Sequence, residues 1–576
     1  MRVQPKIGLV TLPLFVLLAV GCEASVEADH PSATPPGGGS SSSGAGPTAG
    51  SGNLAGTAPL PPGSEAASLL PARIRRLSVA EYQATVSEAE LIGSAANGIT
   101  ADFVPDSRQG GFTVNEAQRV DPVFAKQLSE AAVALAADVR KHAAERARCL
   151  APADHAKCAE SFIRDFGEKA YRRPLADDEV AQLLVVYRAA FDGGSYEEGI
   201  ELVVRAMLQS AAFLYLTEIG DAPGATVKLT PYEIASSISY LVQGKPPGAA
   251  LLKLAKEGAL DTPEGRTAML GNAEVALFEG APAGDRVTRV VREWLGIDKI
   301  SNLAKDTTKY QAFEGAKRAM DEQTPAFLNA LVRQDRNGSL RELLAGDWTM
   351  ANAALKPLFQ NAPTVDDFQR ISSPERLGIL NQGAFLSVFA HAHETAPVLR
   401  GVAVMRRVAC IPIPDPVNLS MAIVPPLPDA TKSTRERYAV HGQSEACATC
   451  HKQIDNFGFA FEHFDGMGAY RPTDGGHAVD SSVAVPSTDF SGSYADSNAL
   501  VKAMSTSTQV RQCFARQIYR ALAATSDAAL RPSEDDFVKY WDTTLTREGD
   551  QIKDVYIIGT IGAFITNPSF NFRRGQ

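Results

Sequence analysis

Beyond about residue 70, apolar residues recur every three or four positions, which is the spacing of one face of an α-helix. The longest such pattern covers residues 123–148 and follows Asp121 and Pro122, which suit the N-cap and first turn of a helix. Shorter patterns of the same kind cover residues 160–171, 177–192 and about 285–294. The pattern therefore predicts a mainly α protein with several helical segments.

Two further helix starts carry a full set of capping residues. Ser78 precedes Glu81 by three positions, which is the spacing of a capping box. Thr230 and Glu233 have the same spacing, with Pro231 in the first turn between them. We expect a helix to begin at each of these sites.

Arg172 and Arg173 form a basic pair just before Pro174, and this pair has two interpretations. It can bind an anion, or it can mark a helix end at which the arginines satisfy terminal carbonyl groups while Pro174 stops the helix. We favour the helix end. Trp294, which precedes Gly296 at the end of another helical pattern, is interpreted as a core residue.

Residues 447–451 read CATCH, in which two cysteines separated by two residues are followed at once by histidine. This spacing is typical of c-type haem attachment, in which Cys447 and Cys450 bond the porphyrin and His451 is the proximal iron ligand. Half of a zinc site has the same spacing, but a structural zinc site needs four ligands and the other cysteines are isolated. A redox dithiol would need a βαβ pattern, whereas residues 452–461 are expected to form a loop lined with aromatics. The motif therefore predicts one covalent haem c.

The start of the chain has the pattern of an export signal. Arg2 and Lys6 accompany an apolar run at residues 7–20, which is shorter than the roughly 20 residues of a membrane-spanning helix. Small residues then precede Cys22, as in a bacterial lipobox, so Cys22 is the predicted lipid-attachment site. The alternative is an ordinary cleaved signal with an incidental cysteine. Residues 23–70, rich in Gly, Ser and Pro, are predicted to be a flexible tether.

The net charge of −10 comes from acidic and basic residues that are interspersed along the chain. A nucleic-acid-binding protein carries a basic surface, so the charge argues against a nucleic-acid partner. The chain also lacks a GxSxG elbow, a P-loop, an HExxH motif and a GxGxxG motif between a strand and a helix. Composition and motifs thus leave CATCH as the main indication of chemistry.

Several short segments follow one another in a specific order. They are RLSVAEY at 76–82, AYRRPL at 170–175, ISYL at 238–241, WLG at 294–296, RLGIL at 376–380, TAPVLRG at 395–401 and GFAFEHFD at 458–465. In this order the chain resembles the large planctomycete and myxobacterial proteins built from planctomycete-specific domains and a cytochrome-c-like domain. That family is largely uncharacterised, but its cytochrome-like character supports haem attachment at CATCH. Ala396 and Asn456 depart from the family pattern without touching the haem-bonding atoms.

The export signal, the tether and the resemblance that follows them together divide the chain into seven parts. These are a lipoprotein signal at 1–22, the tether at 23–70, a planctomycete-specific helical domain at 71–135, a second helical domain with AYRRPL at 136–222, a third at 226–345, a cytochrome-c-like domain at 346–445 and a C-terminal domain with CxxCH at 446–576.

Seven cysteines less Cys22 and the two thioether candidates leave four that can pair. Cys149 and Cys158 bracket a short segment between two predicted helices, a span that suits a disulfide in an oxidising compartment. Cys410 and Cys513 would then form the second pair. Four cysteines allow three connectivities, and two of them can also be buried free thiols.

The second axial ligand of the iron is open. His391, Met467 and His463 are the main candidates, with His393 and Met504 behind them, and methionine would favour electron transfer at a raised potential. An open sixth position would instead permit peroxide or oxygen chemistry. Asp455 is placed to accept the other ring N–H of His451. The phenylalanines near the motif either wall the porphyrin or belong to an ordinary core: Phe457, Phe459, Phe461 and Phe464.

The sequence therefore predicts an envelope-anchored c-type haem lipoprotein that transfers electrons or performs haem-dependent redox chemistry. Lipid on Cys22 would hold it to a membrane on the periplasmic side of the envelope, more in keeping with the outer than the inner membrane. Its redox partner is an unidentified protein. The alternative is a non-enzymatic envelope scaffold, or a lipoprotein that binds a polymer or partner, without haem. A haem peroxidase is a third interpretation, against which the single CxxCH motif counts.

Overall fold

The computed structural model describes residues 66–146, 154–192, 194–334, 338–413, 426, 429, 431–439, 445–524, 531–545, 547–548, 551–552 and 555–575. The predicted signal, Cys22, Cys149 and nearly all of the tether lie outside these residues. For them the sequence-based predictions stand untested.

The fold is mainly α, as predicted. A first group of helices comprises α1 (Val79–Val86), α2 (Pro122–Lys141), α3 (Ala143–Arg146), α4 (His155–Tyr171), α5 (Asp177–Phe191), α6 (Tyr196–Leu208) and α7 (Ala211–Leu214). The predicted capping box at Ser78 and Glu81 is present, and the Asp121 side chain accepts a hydrogen bond from the Phe124 N–H. Local capping therefore sets where α1 and α2 begin.

The prediction of one continuous helix over residues 123–148 is wrong. The helix α2 ends at Lys141, and His142 leaves the helical conformation with φ −119° and ψ 16°. The last buried side chain of α2 is Val139, after which Arg140 and Lys141 occupy the C-terminal turn. Basic side chains are favourable there because they lie near the negative end of the helix dipole.

Arg172 closes α4 as a helix-end residue. It adopts a left-handed conformation with φ 60°, directly after Tyr171. Its guanidinium donates to the carbonyl oxygens of Ala170 at 3.2 Å, Phe213 at 3.0 Å and Tyr215 at 2.8 Å. The helix-end interpretation is confirmed, but most of the carbonyl groups belong to the α7 segment rather than to α4.

A second group of helices comprises α8 (Pro231–Gln243), α9 (Ala249–Lys256), α10 (Pro263–Leu270), α11 (Gly280–Leu295), α12 (Phe313–Asn329) and α13 (Leu340–Ala345). The predicted capping box at Thr230 and Glu233 starts α8. Gly296 ends α11 with φ 73°, a left-handed conformation that favours glycine. Trp294 is buried beside it, as expected for a core residue.

A third group comprises α14 (Gly383–Val388), α15 (Pro397–Ala403), α16 (Thr434–Tyr438), α17 (Glu445–Phe459), α18 (Ser497–Ser505), α19 (Thr508–Ala523), α20 (Arg531–Leu545) and α21 (Ile557–Thr566). A π-helical turn at Val404–Val408 continues directly from α15. No helix among the residues described above is long and apolar enough to cross a membrane.

The strands in the described part of the chain form short antiparallel pairs. They are β1 (Arg73–Arg76) with β2 (Tyr215–Glu218), β3 (Thr226–Lys228) with β12 (Phe572–Arg574), β4 (Trp348–Ala351) with β5 (Gln369–Ser372), β6 (Thr473–Asp474) with β7 (His477–Ala478), β8 (Val483–Val485) with β9 (Gly492–Tyr494), and β10 (Arg547–Glu548) with β11 (Gln551–Ile552). The β3–β12 pair sets Val227 opposite Arg573, so it joins an early segment to a late one.

Buried side chains form two hydrophobic cores. The first core is built mainly by α1 to α7 and includes Tyr82, Phe124 and Phe213. The second includes Trp294 of α11 and Phe457 of α17, together with most buried residues after α7. The CATCH helix is therefore part of the second core, and its position depends on packing with segments far away in the sequence.

Candidate haem-attachment site

The CATCH residues lie in the first two turns of α17. Cys450 and His451 are neighbours in α17, and Cys447 precedes Cys450 by three positions. Cys450 is a free thiol, half-buried and packed against the second core. The side chain of Cys447 lies outside the described part of the chain. Within the described side chains, α17 therefore brings Cys450 and His451 to the candidate site.

His451 is held by a carboxylate one turn further along α17. Asp455 Oδ1 lies 3.0 Å from His451 Nδ1, and the two side chains are 13% and 21% exposed. The contact expected from the sequence is present. A carboxylate at Nδ1 is the arrangement in which proteins orient a metal-bound imidazole.

The prediction of a loop at residues 452–461 is wrong, because α17 continues through Phe459 before the chain turns. Ile454 and Phe457 are buried three residues apart, which is helical spacing. The phenylalanines at 457, 459, 461 and 464 all belong to the second core. Of the two interpretations offered for them, the structure supports ordinary core packing.

Two glycines bring α15 and α17 into direct backbone contact. A Cβ atom on Gly401 of α15 would overlap the Ile454 carbonyl oxygen, and one on Gly458 of α17 would overlap the Pro397 carbonyl oxygen. The absence of side chains at both positions allows the close approach. The TAPVLRG segment therefore packs directly against the CATCH helix through backbone atoms.

Arg400, the arginine of TAPVLRG, fixes the turn that follows α17. Its fully buried guanidinium donates to the carbonyl oxygens of Phe461 at 3.1 Å, Phe464 at 2.9 Å and Asp465 at 2.7 Å. Burial lowers the pKa of Arg400, since desolvation disfavours the charged form. This side chain couples α15 to the GFAFEHFD segment.

Glu462 supplies the opposite charge to Arg400. It is 3% exposed and lies 3.4 Å from the Arg400 guanidinium. Its carboxylate also accepts a hydrogen bond from the Thr395 hydroxyl at 2.8 Å and pairs with Arg471 at 2.6 Å. This buried carboxylate therefore joins Arg400, Thr395 and Arg471 into one polar network beneath the turn.

Arg376, from the RLGIL segment, holds the far end of the same turn. Its guanidinium donates to the Gly468 carbonyl at 2.7 Å and lies 4.6 Å from the ring centres of both Phe359 and Phe464. Burial lowers its pKa to about 10. Sequence reasoning used Arg376 and Arg400 only as parts of a family pattern and missed their positioning role. For Arg400 the signal available was an arginine between Leu399 and Gly401 in an apolar segment, whereas Arg376 follows Glu375 and carried no such signal.

Four family models match the chain, and each describes a protein of unknown function. They are PSD3 (DUF1587) at residues 75–141, PSD5 (DUF1595) at 158–218, PSD4 (DUF1592) at 229–360 and PSCyt3 (DUF1588) at 376–474. Together they cover more than half of the chain. The chain is a multidomain protein of the PSD and PSCyt families. Neither the curated proteins nor the solved structures contain a match to it.

The candidate site lies within the PSCyt3 match, which contains both α15 and α17. Of the predicted axial ligands, His391, His393, His463 and Met467 lie within the PSCyt3 match, and Met504 lies after it. Met467 is 5% exposed and sits in the second core, where packing was the expected role. His463 stacks on Tyr470 with ring centres 5.3 Å apart. These contacts do not distinguish an iron ligand from a packed side chain.

His391 of the PSCyt3 domain is half-buried, and burial lowers the pKa of its imidazole. Its carbonyl oxygen accepts a hydrogen bond from Lys305 at 2.8 Å. His393 is exposed, and Met504 is fully buried. The choice of a second axial ligand stays a prediction for each of these residues.

Cys410 and Cys513 are joined by a disulfide with their Cα atoms 5.3 Å apart. The bond connects the end of the π-helical turn after α15 to α19. Cys158 is also disulfide-bonded. Cys149, its predicted partner, lies outside the described residues.

A polar groove of about 570 Å³ lies beside the turn that Arg400 fixes. Acidic and basic side chains both line it, among them Asp465 and a pair formed by Arg437 and Glu394 at 2.8 Å. Among the described residues, no group of three or more His, Cys, Asp and Glu side chains converges to hold a metal ion. The groove comes from several separated segments, so no local sequence pattern indicated it.

Proposed function

We propose that this PSD–PSCyt protein is an envelope-anchored c-type haem lipoprotein that transfers electrons or performs haem-dependent redox chemistry. The observation that carries the proposal is the position of Cys450 and His451 side by side in α17, with Asp455 Oδ1 3.0 Å from His451 Nδ1. A cytochrome-c-like PSCyt3 domain around that helix agrees with it.

The residues present fit a c-type haem. Cys447 and Cys450 would bond the porphyrin, and His451 would offer Nε2 to the iron while Asp455 holds Nδ1. A bound haem supplies one-electron redox chemistry. The chain itself keeps the imidazole in one orientation, because α17 is fixed by its glycine contact with α15 and by its buried Ile454 and Phe457.

The disulfide of the chain supports the part of the proposal that concerns export. Structural disulfides persist in exported proteins and are rare in the cytosol, so the Cys410–Cys513 bond agrees with export. Lipid on Cys22 would then anchor the protein at the periplasmic side of the envelope, with the outer membrane favoured. A partner protein would exchange electrons with the haem.

The decisive test of the haem is a pyridine haemochrome spectrum and a haem stain on a denaturing gel. The full chain is made together with the c-type maturation machinery, beside the variant Cys447→Ser/Cys450→Ser. We expect covalent haem in the wild type and none in the variant. The matched control is Cys410→Ser/Cys513→Ser, which also removes two cysteines and should keep its haem. Absence of haem from the exported wild type would overturn the proposal.

The anchor has a separate test. Cys22→Ala should lose incorporation of labelled fatty acid and move from the membrane fraction to the soluble fraction. Ser25→Ala, a change at a nearby tether position, should leave both unchanged. A Cys22→Ala protein that still carries lipid would exclude the predicted attachment site without bearing on the haem.

A further inference from the structure

Four arginines converge on one enclosed cavity at the junction of β1, β2, α8, α11 and β12. They are Arg73, Arg75, Arg286 and Arg573. Arg75, Arg286 and Arg573 are each less than 9% exposed, and the side chain of Arg73 is 10% exposed. Buried arginines are normally matched by carboxylates, so their partners decide whether the cavity wall is neutral.

Three of the four arginines have a carboxylate partner. Arg73 and Arg573 share Glu218, at 2.9 Å and 2.8 Å. Arg75 pairs with Glu81 through two hydrogen bonds, of 2.6 Å and 3.0 Å. Two carboxylates therefore serve three guanidinium groups.

Arg286 is the exception. It is 5% exposed, and in the described part of the chain its one hydrogen bond runs from Nε to the Leu241 carbonyl oxygen at 3.2 Å. Its side chain lines the cavity. The guanidinium therefore brings a buried positive charge and unused N–H donors to this space.

The charges around the cavity do not balance. Four guanidinium groups face the two carboxylates of Glu81 and Glu218, which leaves an excess of two positive charges. Arg289 and Glu293 also act on Arg286, and because their charges are opposite the excess is unchanged. The pKa of Arg286 is lowered to about 10, mainly by burial and to a lesser extent by the positive charge of Arg289. An unmatched charge in a poorly hydrated space is costly, and a bound counter-ion would offset that cost.

The size of the cavity limits what can bind. It has a volume of about 30 Å³, whereas one water needs roughly 10–15 Å³ measured in the same way. The space suits an ion of the size of chloride, which is little larger than water, and is too small for an organic ligand. Arg286 also lines an outer groove of about 260 Å³ together with Lys245 and Arg289. Glu88 and Asp285 line that groove as well, and Lys245 pairs with Glu88 at 3.1 Å, so Arg286 is the residue that the groove and the cavity share.

We propose that this cavity is a binding site for a small inorganic anion such as chloride, with Arg286 as its principal ligand. The ion stabilises the place where the early strand pair β1–β2 meets the C-terminal strand β12. The site is separate from the haem proposal, since the residues that line it belong to elements other than α17.

The test uses the purified full chain at constant ionic strength, with sodium gluconate replaced stepwise by sodium chloride or bromide. We expect a saturable rise in Tm with both halides, because an ion that binds only the folded state stabilises it by mass action. Arg286→Met should lose the rise. Arg140→Met, which alters an exposed arginine paired with Glu198 and Glu201, should keep it.

A bromide-soaked crystal of the wild type provides a second measurement that does not depend on a variant that folds. An anomalous peak within hydrogen-bonding distance of Arg286 supports the site. No peak there, no saturable Tm response in the wild type, or an equal response in Arg286→Met would overturn the proposal. A peak without the solution response would mean an adventitious ion only.

Discussion

Asp455 Oδ1 lies 3.0 Å from His451 Nδ1, one turn further along the same helix. The contact orients the His451 ring through Nδ1. It also places a carboxylate where it can make the imidazole a stronger electron donor. The first prediction follows from that charge.

Asp455→Asn should raise the reduction potential of the haem-loaded protein. The amide keeps a hydrogen-bonding group near Nδ1 but removes the negative charge that favours oxidised iron. We expect a shift of tens of millivolts, where about 59 mV is a tenfold change in a one-electron equilibrium. Spectroelectrochemical titration measures it. Asn456→Ala, at the half-buried next position, removes no charge, so it serves as the control and should leave the potential unchanged.

Gly458→Ala should destabilise the protein because the added methyl group meets the Pro397 carbonyl oxygen. A cost of about 1–3 kcal/mol is typical of overpacking. Gly315 offers a matched comparison, since it is also helical and a Cβ atom there meets nothing within 4 Å. Gly315→Ala should raise stability by about 0.5–1 kcal/mol. Urea denaturation of both variants checks the pair; equal effects would mean that the α15–α17 contact is not tight.

Arg400→Met should lower the free energy of unfolding more than Gly458→Ala does. It removes the donors that hold three carbonyl groups after α17 and leaves Glu462 with less positive charge nearby. Breaking a buried charge pair costs about 3–5 kcal/mol. Arg406→Met, at an exposed position, should lie within about 0.5 kcal/mol of the wild type. Similar denaturation midpoints for the two variants would contradict the anchoring role of Arg400.

Lys305 should make stability depend on pH. Burial lowers its pKa from 10.5 to about 7, and its ammonium group donates to the carbonyl oxygens of Ser387, Ala390 and His391. Below about pH 7 both the folded and unfolded chains hold the proton, so the cost of burial is fully present. Between about pH 7 and pH 10.5 the unfolded chain binds more protons, and stability rises with pH.

The measurement compares the wild type with Lys305→Met in urea between about pH 7 and 9. The free energy of unfolding of the wild type should rise relative to that of the variant by up to about 1.4 kcal/mol per pH unit. The control is Lys126→Met, at an exposed lysine, which should run parallel to the wild type. Parallel curves for Lys305→Met would show that Lys305 titrates normally.

Features set by neighbouring residues were predictable from the sequence, and features set by distant contacts were not. Capping at Ser78 and Thr230 depends on residues three positions away, and both capping boxes are present. The extent of α17 was missed because Gly458, which suggests a turn locally, is required by the Pro397 backbone. The spacing of CATCH located the candidate site. Nothing local could show that Arg400 would supply its buried support.

Cysteine pairing shows the same limit. The count of four unassigned cysteines allowed three connectivities, and only the approach of α19 to the end of the π-helical turn selects Cys410 with Cys513. The arginines that line the cavity show even more clearly that distant contacts cannot be predicted from local sequence. Arg73 and Arg573 share Glu218 from opposite ends of the sequence, so neither charge had an evident partner in its own segment.

The pairing of β3 with β12 has a consequence for the order of folding. Val227 of β3 lies opposite Arg573 of β12. The Ala72 N–H, next to β1, donates to the Arg574 carbonyl oxygen at 2.7 Å. The last described strand therefore pairs with segments from the beginning of the described chain. Contacts this distant in sequence form late. In a chain exported from its N-terminus, residues 447–451 would emerge before the strand that closes the fold. Attachment enzymes would then meet CATCH while the surrounding protein is still open.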